Sequence, residues 1–118
     1  ELLKHTQVTA VVKSAPIIND VLMEDAEQVG LTEICWIIDN GGGFVGCPLD
    51  LVSRAFLERI ARADIILGKG QGNYETMDVY DGNVFLLLRA KCDIIARDMG
   101  VKFGQVAFIS TRERNAGR

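Results

Sequence analysis

The residues best suited to chemistry stand in the stretch Gly68-Lys69-Gly70-Gln71-Gly72-Asn73, directly after the apolar run Ile65–Leu67. Alternating glycines free the backbone to turn successive N–H groups toward one point, and Lys69 adds a full positive charge beside them. An anion such as phosphate suits that arrangement. The bland alternative is a glycine-rich turn with Lys69 in solvent. Position favours function, because ligands of open parallel sheets bind beyond the carboxyl ends of the strands.

Asn19-Asp20 precedes an amphipathic segment, where such side chains commonly cap a helix. Its functional reading makes Asp20 a hard oxygen ligand for a divalent cation such as Mg²⁺ or Mn²⁺. Gly41-Gly42-Gly43-Phe44-Val45-Gly46 matches GxGxxG after a strand, the fingerprint of dinucleotide binding. That motif needs a helix to begin within it, whereas Cys47-Pro48 follows. A flexible loop or lid is the better reading, and an NAD- or NADP-dependent oxidoreductase ranks last. His5, with no carboxylate or serine pattern around it, reads as a surface or packing residue. Trp36 reads as core, and Ser110-Thr111 with the tail to Arg118 as a solvated, frayed end.

The elements that must position these groups follow from hydrophobic pattern. Five nearly continuous apolar runs, Val8–Val12, Ile34–Ile38, Ile65–Leu67, Val84–Leu88 and Val106–Ile109, fit strands buried on both faces of a parallel sheet. Leu22, Ala26 and Val29, closed by Gly30, predict one helix. Phe56, Leu57, Ile60 and Ala61 after Asp50 or Ser53 predict a second, and Cys92, Ile95, Ala96 and Met99 before Gly100 a third. The order β-α-β-α-β-(loop)-β-α-β predicts an α/β fold: an open, three-layer, Rossmann-like sheet, mostly parallel, with helices on both faces.

The 118 residues allow one α/β domain over 1–118. The formal charge of -3 gives no basic field for nucleic acid or anionic membrane, so an anion must be bound locally. No apolar run approaches the roughly 20 residues of a bilayer span and no signal peptide is evident, so the expected location is cytoplasmic. Cys35, Cys47 and Cys92 show no CxxC spacing, which argues against a disulfide framework or zinc knuckle. Glu1-Leu2-Leu3-Lys4 has the look of a helix tail, as in a chain cut from something longer.

Taken together, the motifs resemble a known family. Val11-Val12-Lys13-Ser14-Ala15-Pro16-Ile17-Ile18-Asn19-Asp20 is similar to the KGxPxxND signature of the DUF89 family, the metal-dependent damage-control phosphatases. Ala63–Glu75 resembles that family's AD-(apolar)-KGQGNFE segment, and Val84–Asp98 its KAKC stretch. The likeness spans nearly the whole chain and looks closest to the small archaeal and bacterial members. It implies a phosphohydrolase for small phosphorylated metabolites, such as damaged or surplus sugar phosphates or phosphopantetheine-like compounds. It assigns catalytic roles to Lys69 and Asp20, the metal (Mn, Mg, Co or Ni) to Asp20, and phosphate or substrate binding to Lys13, Asn19, Lys69, Gly70, Gly72 and Asn73.

Two departures stand out: Ser14 replaces the usual glycine, and the DNxGE metal motif is absent. In the family that motif lies upstream of the ND pair, before the position of Glu1. The expectation is therefore a C-terminal part of a longer protein, with its N-terminal portion as partner. The alternative is a non-catalytic module that binds a phosphorylated metabolite or nucleotide.

Overall fold

The structure, a computed structural model, describes residues 1–117, with Leu2 described by its backbone alone. Arg118, the end of the expected frayed tail, lies outside the described residues. All five apolar runs form strands: β1 (Thr9–Val12), β2 (Trp36–Asp39), β3 (Ile66–Lys69), β4 (Val84–Arg89) and β5 (Val106–Ser110). The helices are α1 (Met23–Gln28), α2 (Arg54–Ala61), α3 (Gln71–Met77), α4 (Asp93–Met99) and α5 (Thr111–Ala116). Periodicity anticipates α1, α2 and α4. It misses α3, which occupies the expected loop after β3, and α5, which occupies the expected frayed end. Among the described residues no helix is long and apolar enough to cross a membrane.

The chain divides into two compact units, Glu1–Phe44 with Asp50–Glu58, and Val45–Leu49 with Arg59–Arg118. Hydrogen bonding likewise gathers the strands into two sheets, where the sequence predicts one.

In the first unit β1 and β2 pair in parallel, from Thr9 opposite Trp36 to Val12 opposite Asp39. A parallel pair needs a crossover, and α1 supplies it. Asn19 and Asp20 do not cap that helix. Its N-cap is Leu22, whose N–H donates to Asp25 Oδ2 at 2.8 Å, and Gly30 closes its end at φ 76°. Ala26 is buried as expected, but Val29 caps the last turn and is 78% exposed. Ser53 meets its expectation: its Oγ accepts from Phe56 N–H at 3.1 Å, the N-cap bond that satisfies an orphan donor of α2.

In the second unit β3 and β4 are parallel, while β4 and β5 are antiparallel, so the connection through α4 is not the right-handed parallel crossover expected there. The chain comes back beside the end of β4, where Gly104 N–H donates to Ala90 O and Ala90 N–H to Gln105 O, and β5 starts with Val106 opposite Arg89.

The core of this unit is Val84, Leu86 and Leu88 of β4 against Tyr74 of α3 and Ile95 of α4. Along β4 burial alternates, the period-2 pattern of a sheet covered on one face. The other face is open, with Leu67 60% and Phe108 61% exposed. The expectation of strands buried on both faces is thus not met, and Trp36 of β2 is also exposed rather than core. Of the three cysteines Cys47 is buried, and Cys35 and Cys92 are half-buried.

Candidate functional site

In the first unit, β1 ends by delivering Lys13. Its backbone N–H donates to Val21 O at 2.9 Å, and Lys13 bridges Leu22 in parallel, so residues 14–20 form a loop closed at its base. Inside that loop Asp20 N–H donates to Ile17 O at 3.0 Å. The turn holds Ile18 at φ 49°, the left-handed region that a β-branched side chain rarely enters. Asn19 lies exposed in the same turn.

The Lys13 side chain is largely buried and donates to Phe44 O at 2.7 Å, with Asp20 Oδ2 at 3.8 Å from Nζ. Lys13 and Asp20 are therefore brought together. Lys13 also borders a cavity of about 310 Å³ with Ser14, Pro16, Glu24 and Asp39, within the size range of small-ligand pockets.

The Gly41–Gly46 segment is not a free lid. A Cβ on Gly41 would lie 2.6 Å from Ser53 Cβ, and one on Gly43 2.9 Å from Ala15 O. Ser14 N–H also donates to Gly42 O at 3.3 Å. Asn40, almost fully buried, heads this loop and accepts from Gly42 N–H at 3.4 Å. The close packing is why these positions are glycine, and the dinucleotide helix is absent here: α2 begins only at Arg54.

In the second unit, the glycine-rich motif is a strand-to-helix junction rather than a loop of convergent amides. Gly68 and Lys69 end β3, Gly70 caps α3 at φ 99°, and Gly72 and Asn73 already lie in the helix. Of the motif's glycines Gly70 has positive φ; its N–H donates to Leu87 O at 2.9 Å, so that amide is engaged in the sheet. Asn73 Nδ2 donates to Lys69 O at 2.7 Å, which gives its amide a local partner. Lys69 is exposed at the carboxyl end of β3. Gly72 packs against Gly46, 3.0 Å from a would-be Cβ to Gly46 N.

Several residues that organise this unit were not anticipated. Gln71 Oε1 accepts from Lys91 N–H at 3.1 Å while its Nε2 donates to Glu75 Oε1 at 2.8 Å, tying the start of α3 to the chain leaving β4. Thr76 Oγ1 accepts from Cys47 N–H at 2.7 Å and donates to Gly72 O at 2.8 Å. Tyr74 O–H donates to Asp98 Oδ2, and Arg114 of α5 donates to both Asp98 and Asp78. The Tyr74 hydrogen bond, with help from Arg114, holds the Asp98 carboxyl below its ordinary range; burial, then the same hydrogen bond, pushes the Tyr74 hydroxyl well above its own. A helical reading of the C-terminal stretch, with Ser110 three residues before Glu113 as a capping pair, would have exposed this cluster.

Asp20 brings one carboxylate, and its neighbour is an ammonium rather than another acid. Among the described residues no group of three or more His, Cys, Asp or Glu side chains is placed to hold a metal ion. A divalent cation with oxygen ligands takes six or more, so these residues do not compose a metal centre by themselves.

Comparison with known proteins matches residues 1–106 to the damage-control phosphatase ARMT1-like domain. A damage-control phosphatase of Pyrococcus horikoshii is 43% identical over 103 residues, 86% of this chain and 36% of that protein. One of Archaeoglobus fulgidus is 36% identical over 104 residues, 85% of this chain and 35% of that protein. The crystal structure of a DUF89 family protein from Pyrococcus horikoshii superposes with a TM-score of 0.84 at 40% identity, covering 89% of this chain and 37% of that one. The chain thus spans about a third of the length of the curated relatives it matches. With the family match running through both the Lys13–Asp20 segment and the Lys69–Asn73 junction, the chain belongs to the DUF89 family of damage-control phosphatase ARMT1-like domains.

Proposed function

We propose that the protein carrying this chain is a phosphohydrolase for small phosphorylated metabolites, such as damaged or surplus sugar phosphates or phosphopantetheine-like compounds. The observation that carries the reading is the family match over residues 1–106, which takes in both motif segments. Lys69 serves the phosphate. An ammonium at a strand's carboxyl end offsets the charge of phosphoryl oxygens in the ground state and, more strongly, as charge develops in the transition state. Gly70, Gly72 and Asn73 shape its surroundings, and Lys13 and Asn19 line the substrate side.

Asp20 contributes one ligand to a divalent cation (Mn, Mg, Co or Ni), with the remaining ligands outside the described residues. The largely buried Lys13 ammonium, which donates to Phe44 O, faces that exposed carboxylate at 3.8 Å as its countercharge.

The test is release of inorganic phosphate from a panel of sugar phosphates by the longest natural protein that carries this chain, with and without Mn²⁺ or EDTA. Turnover that needs the metal and falls at least about 100-fold in Asp20→Ala and Lys69→Ala, consistent with loss of an electrostatic group, supports the assignment. Unchanged kinetics in Lys69→Ala would remove it from the site. Phosphate-ester binding without turnover would make the protein a metabolite-binding module instead.

A further inference from the structure

We propose, resting on the phosphohydrolase reading of the whole protein, that Asp39 and Glu24 are specificity-determining residues of the Lys13 cavity, where their carboxylates accept hydroxyl groups on the carbon skeleton of a polyol phosphate. Strand register brings the groups together. β1 and β2 are parallel with Val12 opposite Asp39, so Asp39 closes β2 where Lys13 leaves β1. Ligands of parallel sheets bind beyond such carboxyl ends. Glu24 arrives from the first turn of α1, because the bridge from Lys13 to Leu22 holds the start of that helix beside the strand end. All three side chains, with Ser14, line the cavity of about 310 Å³. Asp39 Oδ1 accepts from Gly41 N–H at 2.8 Å. A carboxylate has acceptor sites on both oxygens, so this bond fixes the side chain and leaves Oδ2 for a ligand.

Charge decides which part of the substrate enters. Two carboxylates repel phosphoryl oxygens, and the Lys13 ammonium beside them is engaged by Phe44 O at 2.7 Å and Asp20 at 3.8 Å. The phosphate therefore stays outside the cavity and the organic part goes in. Ionised carboxylates only accept hydrogen bonds, so the ligand must donate, and an ammonium only donates, so the same ligand must also accept. A hydroxyl does both, whereas an amine cation would meet the Lys13 charge. Among the described residues neither carboxylate belongs to a group of three or more side chains that could hold a metal ion, which leaves hydroxyls as their partners. Leu22 and Met23 complete the wall with apolar surface for C–H groups. Ligand pockets run from about 300 to 1,000 Å³, so this one, at the small end, suits a compact polyol better than a long phosphopantetheine-like arm.

The experiment compares sorbitol phosphate, glucosamine phosphate and p-nitrophenyl phosphate as substrates of the longest natural protein that carries this chain, with Mn²⁺ present. In Asp39→Asn and in Glu24→Ala the ratio of kcat/KM for sorbitol phosphate to that for p-nitrophenyl phosphate should fall at least about 10-fold, the scale of losing a hydrogen bond to a charged group. Asp39→Asn keeps an acceptor for Gly41 N–H, and both residues are exposed, so circular dichroism melts should confirm retained fold. Glu24→Gln, which keeps an acceptor, should recover part of the ratio. An unchanged ratio in Asp39→Asn and Glu24→Ala overturns the proposal. A preference for glucosamine phosphate that disappears in those variants overturns it in favour of an ammonium ligand.

A second measurement does not depend on turnover: calorimetric titration of the same proteins with sorbitol phosphate. Binding at least about 10-fold weaker in Asp39→Asn and Glu24→Ala is expected from the same lost hydrogen bonds. Equal affinities, or no binding by the parent protein, overturn the proposal. Binding that weakens in both variants without release of phosphate from any ester keeps the hydroxyl site and removes the phosphohydrolase activity.

Discussion

Arg114 Nη2 donates to Asp98 Oδ2 at 2.5 Å, joining α5 to α4 in the second unit. The same guanidinium lies over the Tyr74 ring, Cζ 4.7 Å from its centroid, and reaches Asp78 at 3.4 Å. One side chain therefore fastens α5 to α3 and α4. Arg114→Ala leaves Asp78 and Asp98 without that cation, and unfolding free energy should fall by about 1–3 kcal/mol, below the figure for fully buried pairs because Asp98 is partly exposed. Urea denaturation of the two proteins measures it, and Arg114→Lys, which lacks the planar fork, should recover less than half.

The same cluster predicts how stability varies with pH. The carboxyl of Asp98 is held below its ordinary 3.8, so its contribution is present above that value and lost as pH falls through the lower folded-state value. Tyr74 is shifted upward from 10.0; its neutral form is favoured in the folded state, so that contribution is present below pH 10 and lost as pH rises beyond it. In Asp98→Asn the fall in stability on the acid side of 3.8 should flatten relative to the parent. Parallel curves of unfolding free energy against pH would rule Asp98 out as the titrating group.

Gly46 offers a test of close backbone approach. At φ 69° a Cβ there would drive into the carbonyl of Gly72, whereas Gly100, at φ 67°, has open space around it. Both substitutions to alanine incur the left-handed penalty of about 1–2 kcal/mol, but Gly46→Ala adds a clash with backbone that cannot move cheaply. Gly46→Ala should therefore lower the thermal midpoint clearly more than Gly100→Ala. Equal losses would show that the Gly46–Gly72 contact relaxes without cost.

Gln71 supplies a third kind of test. The Lys91 N–H lies at an exposed position and bonds to the Gln71 side chain. Gln71→Ala should speed exchange of that amide at least about 10-fold, as expected when local protection is removed, while amides of β4 keep theirs. Exchange read by NMR residue by residue decides it, and Gln71→Glu, which keeps an acceptor, should restore part of the protection.

Local sequence determined the parts whose cause is local. The five apolar runs became strands because β-branched and aromatic residues suit a pleated surface, Ser53 capped α2 because its hydroxyl sits one residue before the helix, and Gly100 ended α4 because only glycine enters φ 67° without strain. Motif order alone also pointed to the family. Tertiary structure decided the rest. The Lys69 motif became a helix start because Gly70 is bonded to Leu87 across the sheet, and β5 turned antiparallel where Ala90 bonds to Gly104 and Gln105 beside the end of β4. Val106–Ile109 reads the same in either strand direction, since side-chain period does not encode orientation. The C-terminal stretch, polar in composition, became a helix because Arg114 finds Tyr74, Asp78 and Asp98; partners 16 to 40 residues away leave no periodic trace in the sequence, and packing alone brings them together.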